Sequence, residues 1–221
     1  MPPDAHALKI LPACQEDLVV VAEDPSFIVI NKPTRLLSVP GRNPANFDSV
    51  VSRLAAKYGA LHLAHRLDFD TSGLLVVPLS KRSLSNISQQ FQARTVDKQY
   101  VALVDGLVEK DSGVIDLAIA AADGPKYKIC TTTGKLSTTR FEVVARDLER
   151  GVTRVRLYPE TGRTHQLRLH MQALGHPILG CEFYGGEAQY KAERLCLHAQ
   201  ELSFNHPDTA QRLRFFAAAN F

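Results

Sequence analysis

The chain has 221 residues, of which 45% are hydrophobic and 22% charged, a mixture that can bury a sizeable core. That length fits one large domain or two small ones of roughly 100–200 residues each, and the net charge of +3 permits a nucleic-acid partner without demanding one. No basic segment leading into a long apolar run opens the sequence, and no apolar stretch reaches the ~20 residues that cross a bilayer, so a soluble, cytoplasmic protein is expected.

Residues 1–17 carry three prolines and no periodicity, and read as an N-terminal arm. Residues 18–22 and 27–31 are β-branched runs around the turn Glu23-Asp24-Pro25-Ser26, a strand-turn-strand pattern that Asn31-Lys32-Pro33 ends. Asp48 opens a helix with Val51, Leu54, Ala55 and Tyr58 on one face and Gly59 as its stop. The continuous apolar run 73–79 is expected as a buried strand, followed by a helix over 81–94 with Leu84, Ile87 and Phe91 at helical spacing. Strand character returns at 99–104.

From 113 to 158 short strands alternate with polar turns, and Thr133-Gly134-Lys135 is expected as a hairpin tip. Thr153, Val155 and Leu157 alternate with Arg154, Arg156 and Tyr158, so this strand is expected to have one face that is wet or faces RNA. A third helix is expected over 164–174, capped by Thr161 or Thr164 and ended by Gly175 and Pro177. Strands at 195–204 and 212–216 complete the pattern. Strands outnumber helices and do not alternate with them regularly, which predicts an α+β fold rather than a doubly wound sheet. The expected organisation is one domain over 18–221, with two lobes around a cleft, behind the arm of 1–17.

Two segments concentrate polar chemistry. Ala64-His65-Arg66-Leu67-Asp68-Phe69-Asp70-Thr71-Ser72 sets two carboxylates, an arginine and a histidine immediately before a buried strand, where a rigid sheet can fix loop side chains. A hydrogen-bonded turn would use the same residues, and the residues alone do not choose between Asp68 and Asp70. Gly162-Arg163-Thr164-His165-Gln166-Leu167-Arg168 runs from a glycine turn into a helix, an anion site with arginine beside it or else a solvated helix face, with His165 and Arg168 opposite Leu167 and Met171.

The histidines at 165, 170, 176 and 198 lack zincin spacing, so no metal is expected. Cys14, Cys130, Cys181 and Cys196 form no C-x-x-C pair and read as buried or incidental thiols in a reducing compartment. Walker, G-x-G-x-x-G and G-x-S-x-G patterns are missing, which leaves nucleotide cofactors and a serine hydrolase without support.

His65-Arg66-Leu67-Asp68 followed by Thr71-Ser72-Gly73-Leu74 resembles the H-R-L-D-x-x-T-S-G-[LV] signature of RluA-type pseudouridine synthases. Lys98-Gln99-Tyr100 resembles the family's K-x-Y segment. Residues 162–170 resemble G-R-[ST]-H-Q-[LI]-R-x-H, 175–180 resemble G-H-P-I-x-G, and 194–199 resemble R-L-x-L-H-A. Asn31-Lys32-Pro33 with 36–41 matches the N-terminal part of the family pattern. The motifs lie in family order from about residue 18 to the end of the sequence.

The resemblance implies a mostly antiparallel central sheet with flanking helices, and an enzyme that isomerises uridine to pseudouridine in a stem-loop of structured RNA without a cofactor. It assigns the nucleophilic carboxylate to Asp68, base stacking and C5 proton removal to Tyr100, and the cation that pairs with the carboxylate to Arg168. Arg66 is implied to fill the space left by the flipped base. Leu195 and Leu197 are candidates for the pocket wall, with core packing favoured for at least one of them, and Lys98, Arg163, Lys126 and Lys128 read as phosphate contacts or as solvated surface cations. His65, His165, His170 and His198 read as structural. The 17 residues before the first strand leave no room for an S4-type RNA-binding domain. The segments 36–42 and 215–221 most resemble members that modify a loop uridine of transfer RNA and 23S ribosomal RNA, and a monomer is expected. Segment 119–127 is smaller and more apolar than that resemblance implies, which leaves room for a different substrate. Rivals are the same chemistry at another RNA site, a non-catalytic RNA chaperone, and a glycosidase using Asp68 and Asp70. The trio Asp68, Tyr100 and Arg168 argues against the chaperone, and two carboxylates in one short segment do not by themselves flank a sugar.

Overall fold

A computed structural model describes residues 9–221. Along the chain run β1 (Val19–Glu23), β2 (Phe27–Lys32), α1 (Val50–Tyr58), β3 (Ser72–Pro78), α2 (Lys81–Gln92), β4 (Asp97–Asp105) and β5 (Ser112–Asp116). Next come β6 (Ile119–Ala121), β7 (Tyr127–Ile129), β8 (Thr138–Asp147), β9 (Val152–Pro159), α3 (Gln166–Ala173), β10 (Leu197–Asn205) and β11 (Arg212–Phe216). The fold is α+β with mostly antiparallel sheet, as the strand-rich pattern predicts. The chain divides into two compact units, the first reaching Val96 and adding Leu202–Ala217, the second holding Asp97–Glu201 and Ala218–Phe221.

In the first unit β1, β2 and β3 pair antiparallel, with Phe27 opposite Pro78 and Lys32 opposite Gly73. All seven residues of β3 are buried, which explains an apolar run without alternation: both faces are covered. Phe27, Val29, Leu74 and Val76 on one face pack with Ile87 of α2 and with Leu202 and Phe204. Both helices of this unit start on a serine capping box, Ser49 with Ser52 and Ser80 with Ser83. The first helix therefore begins just after Ser49 rather than at Asp48, which instead binds Arg53 through two nitrogens. Gly59 ends that helix at φ 73°, a conformation glycine adopts without a Cβ penalty. Residues 9–17 are fastened to the unit: Arg53 donates to the carbonyls of Cys14 and Glu16, and Asn46 bonds the backbone of Lys9 and Leu11.

In the second unit the strand order is β4-β9-β8-β5. Thr153, Val155 and Leu157 of β9 are buried while Arg156 is exposed and Arg154 and Tyr158 are half-buried, so the predicted wet face is present. The turn at 131–135 departs from expectation. It joins no hairpin, because β7 pairs with β6, and β8 pairs with β5 and β9. Lys135 folds back to bridge Ile119, and Gly134 sits so close to the Cys130 carbonyl that a Cβ would collide with it.

The third helix also departs from its predicted cap. It begins at Gln166, and the residue before it, His165, takes the left-handed conformation at φ 56° with no side-chain cap. Thr161 turns instead to the Gln166 side chain, 2.7 Å away. Gly175, at φ 89°, closes the helix as expected.

Candidate active site

The segment His65–Ser72 lies in the first unit, where side chains from residues 32–38 bind its backbone. Lys32 is fully buried, and its Nζ donates to the carbonyls of Pro33 and Leu36 at 2.8 Å and of Phe69 at 3.3 Å. Burial of an ammonium is costly unless carbonyls replace its water, which these do. Thr34 donates to the Asp70 carbonyl, and Ser38 bonds both backbone groups of Leu67. The Asp68 carbonyl accepts from Thr71 N–H at 3.2 Å, closing the turn.

Leu67 is buried, whereas Asp68 and Asp70 are half-buried and Arg66 is exposed. Alternation around an anchored Leu67 thus leaves the neighbouring Arg66 and Asp68 side chains with access to solvent. His65 accepts from Val76 N–H at 3.2 Å and stacks on Phe91 with ring centres 4.4 Å apart, a structural role. The turn reading and the catalytic reading of this segment are therefore compatible. The backbone hydrogen bonds make the turn, and both readings draw on the same residues.

Tyr100 and Lys98 belong to the second unit, two apart on β4 and so on one face of the strand, both half-buried. Tyr100 sits opposite Leu157 and packs against the core cluster that contains Leu195 and Leu197. Both leucines are buried members of that core. Arg163 is exposed in the loop before α3, and Lys126 and Lys128 are exposed on and beside β7.

Arg168 corrects the reading of its helix face as solvated. It is 2% exposed, and every residue from Gln166 to Met171 is buried. Its Nε donates to the Cys181 sulfur at 3.3 Å, and its guanidinium lies over the rings of Phe183 and Tyr184, 5.2 and 5.3 Å from their centres. A delocalised cation tolerates such aromatic packing far better than an ammonium would.

The neighbouring polar residues hold the helix. Gln166 accepts from Thr161 and from Arg163 N–H, and donates to the Thr138 carbonyl and the Thr139 hydroxyl. His170 bonds Thr139 through Nδ1 and the Leu117 carbonyl through Nε2, and burial pushes its pKa below the ordinary histidine value. His165 Nδ1 meets the Tyr184 hydroxyl at 2.7 Å, and that hydroxyl accepts from Tyr127 N–H. Lys32, Thr34, Ser38, Gln166, Cys181 and Tyr184 support the site without having been singled out by spacing. Lys32 and Ser38 stand inside matched motif segments, a signal that they do more than end a strand or fill a loop.

Among the described residues, no group of three or more His, Cys, Asp or Glu is placed to hold a metal, and no helix is long and apolar enough to cross a membrane.

Residues 26–173 match the family model described as RNA pseudouridylate synthase. The chain belongs to that family. A dual-specificity RNA pseudouridine synthase RluA from Pasteurella multocida is 48% identical over 207 residues, covering 92% of this synthase and 94% of the relative. The Escherichia coli K12 protein of the same name is 44% identical over the same coverage. Among solved structures, human RNA pseudouridylate synthase domain containing 1 superposes with a TM-score of 0.80 at 30% identity, covering 95% of this synthase and 86% of that chain. The synthase is thus an isomerase that acts on RNA, and the strand-rich fold read from its pattern is the pseudouridine synthase fold.

Proposed function

We propose that this synthase converts a loop uridine of structured RNA to pseudouridine, in the anticodon loop of transfer RNA and in a hairpin loop of 23S ribosomal RNA, working as a cytoplasmic monomer. The dual specificity in the names of its relatives, at 44–48% identity over nearly the whole of both chains, supports two RNA classes. In the reaction the N1–C1′ bond breaks, the uracil turns, and C5 joins C1′. The C5 proton leaves and N1 takes one up, so atoms balance without an oxidant, a reductant or an energy source.

Asp68 is the nucleophile. A carboxylate can bond to carbon, or stabilise developing charge, and leave again. Tyr100 stacks on the target base and takes the C5 proton, and Arg168 supplies the fixed positive charge that keeps a carboxylate ionised. A base must first leave its stack, at a cost of about a few kcal/mol. Arg66, exposed two residues from Asp68, fills the space it vacates. Leu195 and Leu197 give the pocket an apolar wall, and Lys98 and Arg163 contact phosphate.

The observation that carries the assignment is the family match over residues 26–173, with Asp68 at its place in the His65-Arg66-Leu67-Asp68 motif. The seating of the segment supports it, since the carbonyls of Leu67, Asp68, Phe69 and Asp70 are each held and Asp68 is only half-buried. The test is incubation, without metal or nucleotide, with transfer-RNA and ribosomal hairpins tritiated at uridine C5. Tritium release followed by site mapping names the target. Tight binding without release from either hairpin would remove this substrate assignment.

A further inference from the structure

From the double hydrogen bond between Ser38 and Leu67, we infer that Ser38 is a positioning residue for the catalytic carboxylate of Asp68. The Ser38 hydroxyl is buried, donates to the Leu67 carbonyl at 2.8 Å, and accepts from the Leu67 N–H at 3.1 Å. The Leu67 carbonyl belongs to the peptide that leads into Asp68. Rotation of that peptide would break a buried hydrogen bond and swing the Asp68 Cβ away, so one hydroxyl fixes the direction in which the carboxylate leaves the backbone.

Ser38 is itself anchored. The carbonyls of Leu37 and Ser38 accept from Val50 and Val51 at the start of α1, at 2.8 and 3.3 Å. A continuous chain therefore runs from the first turn of a helix, through one hydroxyl, to the residue before Asp68. Thr34 makes the corresponding bond on the far side, 2.7 Å to the Asp70 carbonyl. Nothing in this arrangement places Ser38 against the substrate. Its effect passes through Leu67, and positioning of this kind matters because a misplacement of about 1 Å can cost roughly 10²-fold in rate.

The inference rests on Asp68 being the nucleophile, so the experiment carries a control for that reading. Ser38→Ala, Ser38→Thr and Asp68→Asn are compared with the parent enzyme on C5-tritiated transfer-RNA and ribosomal transcripts. Single-turnover tritium release, RNA affinity and urea unfolding are read for each. A positioning role predicts that Ser38→Ala slows release by about 10- to 100-fold while RNA affinity changes by less than about twofold, and that Ser38→Thr, which keeps the hydroxyl, recovers most of the rate. Full-rate release per folded Ser38→Ala molecule, beside an inactive Asp68→Asn, overturns the positioning role alone. Retained release by Asp68→Asn overturns the nucleophile and the positioning role together. Should Ser38→Ala not fold, Ser38→Cys, which keeps the side-chain shape but donates far more weakly, takes its place beside Ser38→Thr. Slow release by the cysteine variant alone supports the inference, and equal rates for the two overturn it.

Discussion

The imidazole of His165 and the hydroxyl of Tyr184 lie 2.7 Å apart, and the same hydroxyl accepts the N–H of Tyr127. One phenol thus ties β7 to the residue that opens α3, while its ring lies under the guanidinium of Arg168. Tyr184→Phe keeps the ring and removes both hydrogen bonds. Unfolding in urea should show a loss of about 0.5–1.5 kcal/mol, because the half-buried partners lose a hydrogen bond that water replaces only in part. Turnover should fall as well, since the first turn of α3 is released.

Gly180 stands at φ 70°, where a Cβ would run into the Arg194 carbonyl two residues before the buried Cys196. Gly180→Ala meets both strain and collision, so a loss of more than about 3 kcal/mol is expected, at the severe end for a single substitution. Soluble yield and a thermal melt check this. A variant as stable as the parent would show that the loop yields easily.

His170 links stability to pH. Burial holds its pKa below the unfolded value of about 6.5, only partly opposed by the Leu117 carbonyl and by Asp116. The folded protein therefore binds fewer protons than the unfolded chain. Its contribution to stability is complete above about pH 6.5 and is lost as the pH falls from there through the folded pKa. Urea midpoints measured from pH 7.5 to 5 should decline, and His170→Gln should flatten part of that decline.

Cys130 reports on its turn. Hydroxyls of Thr132 and Thr133 lie 3.3 and 3.2 Å from its sulfur and, favouring the thiolate, lower its pKa from 9.0 to about 6. Alkylation by iodoacetamide should reach half its limiting rate near pH 6 at this half-exposed thiol. Thr132→Val should move that midpoint upward. Cys181 and Cys196, both buried, should react only on unfolding.

Elements whose burial follows from their own pattern were legible in the sequence. The strand at 212–216, the buried strand near 73–79 and the wet face of β9 needed only local periodicity. The start of α3 was not legible, because Thr161 and Thr164 are good caps by type, yet the chain spends a left-handed conformation at His165 and uses Thr161 to hold Gln166. Nor was the burial of Arg168, since an arginine opposite Leu167 reads as solvated until Phe183, Tyr184 and Cys181 close around it from a segment about 15 residues away. Lys32 is a similar case: a lysine after a strand suggests a turn, and only the folded backbone brings three carbonyls to its ammonium. Choosing Asp68 over Asp70 came from motif resemblance, because both carboxylates are half-buried on the same anchored turn.

The most direct test of the account is single-turnover tritium release by Asp68→Asn, an exchange that keeps the side-chain shape, turns one acceptor oxygen into an NH2 donor and removes the charge and nucleophilicity. The account predicts that release is abolished while RNA binding and the urea midpoint stay close to those of the parent. Release at the parent rate from a clean preparation would contradict it and take the isomerisation away from this carboxylate.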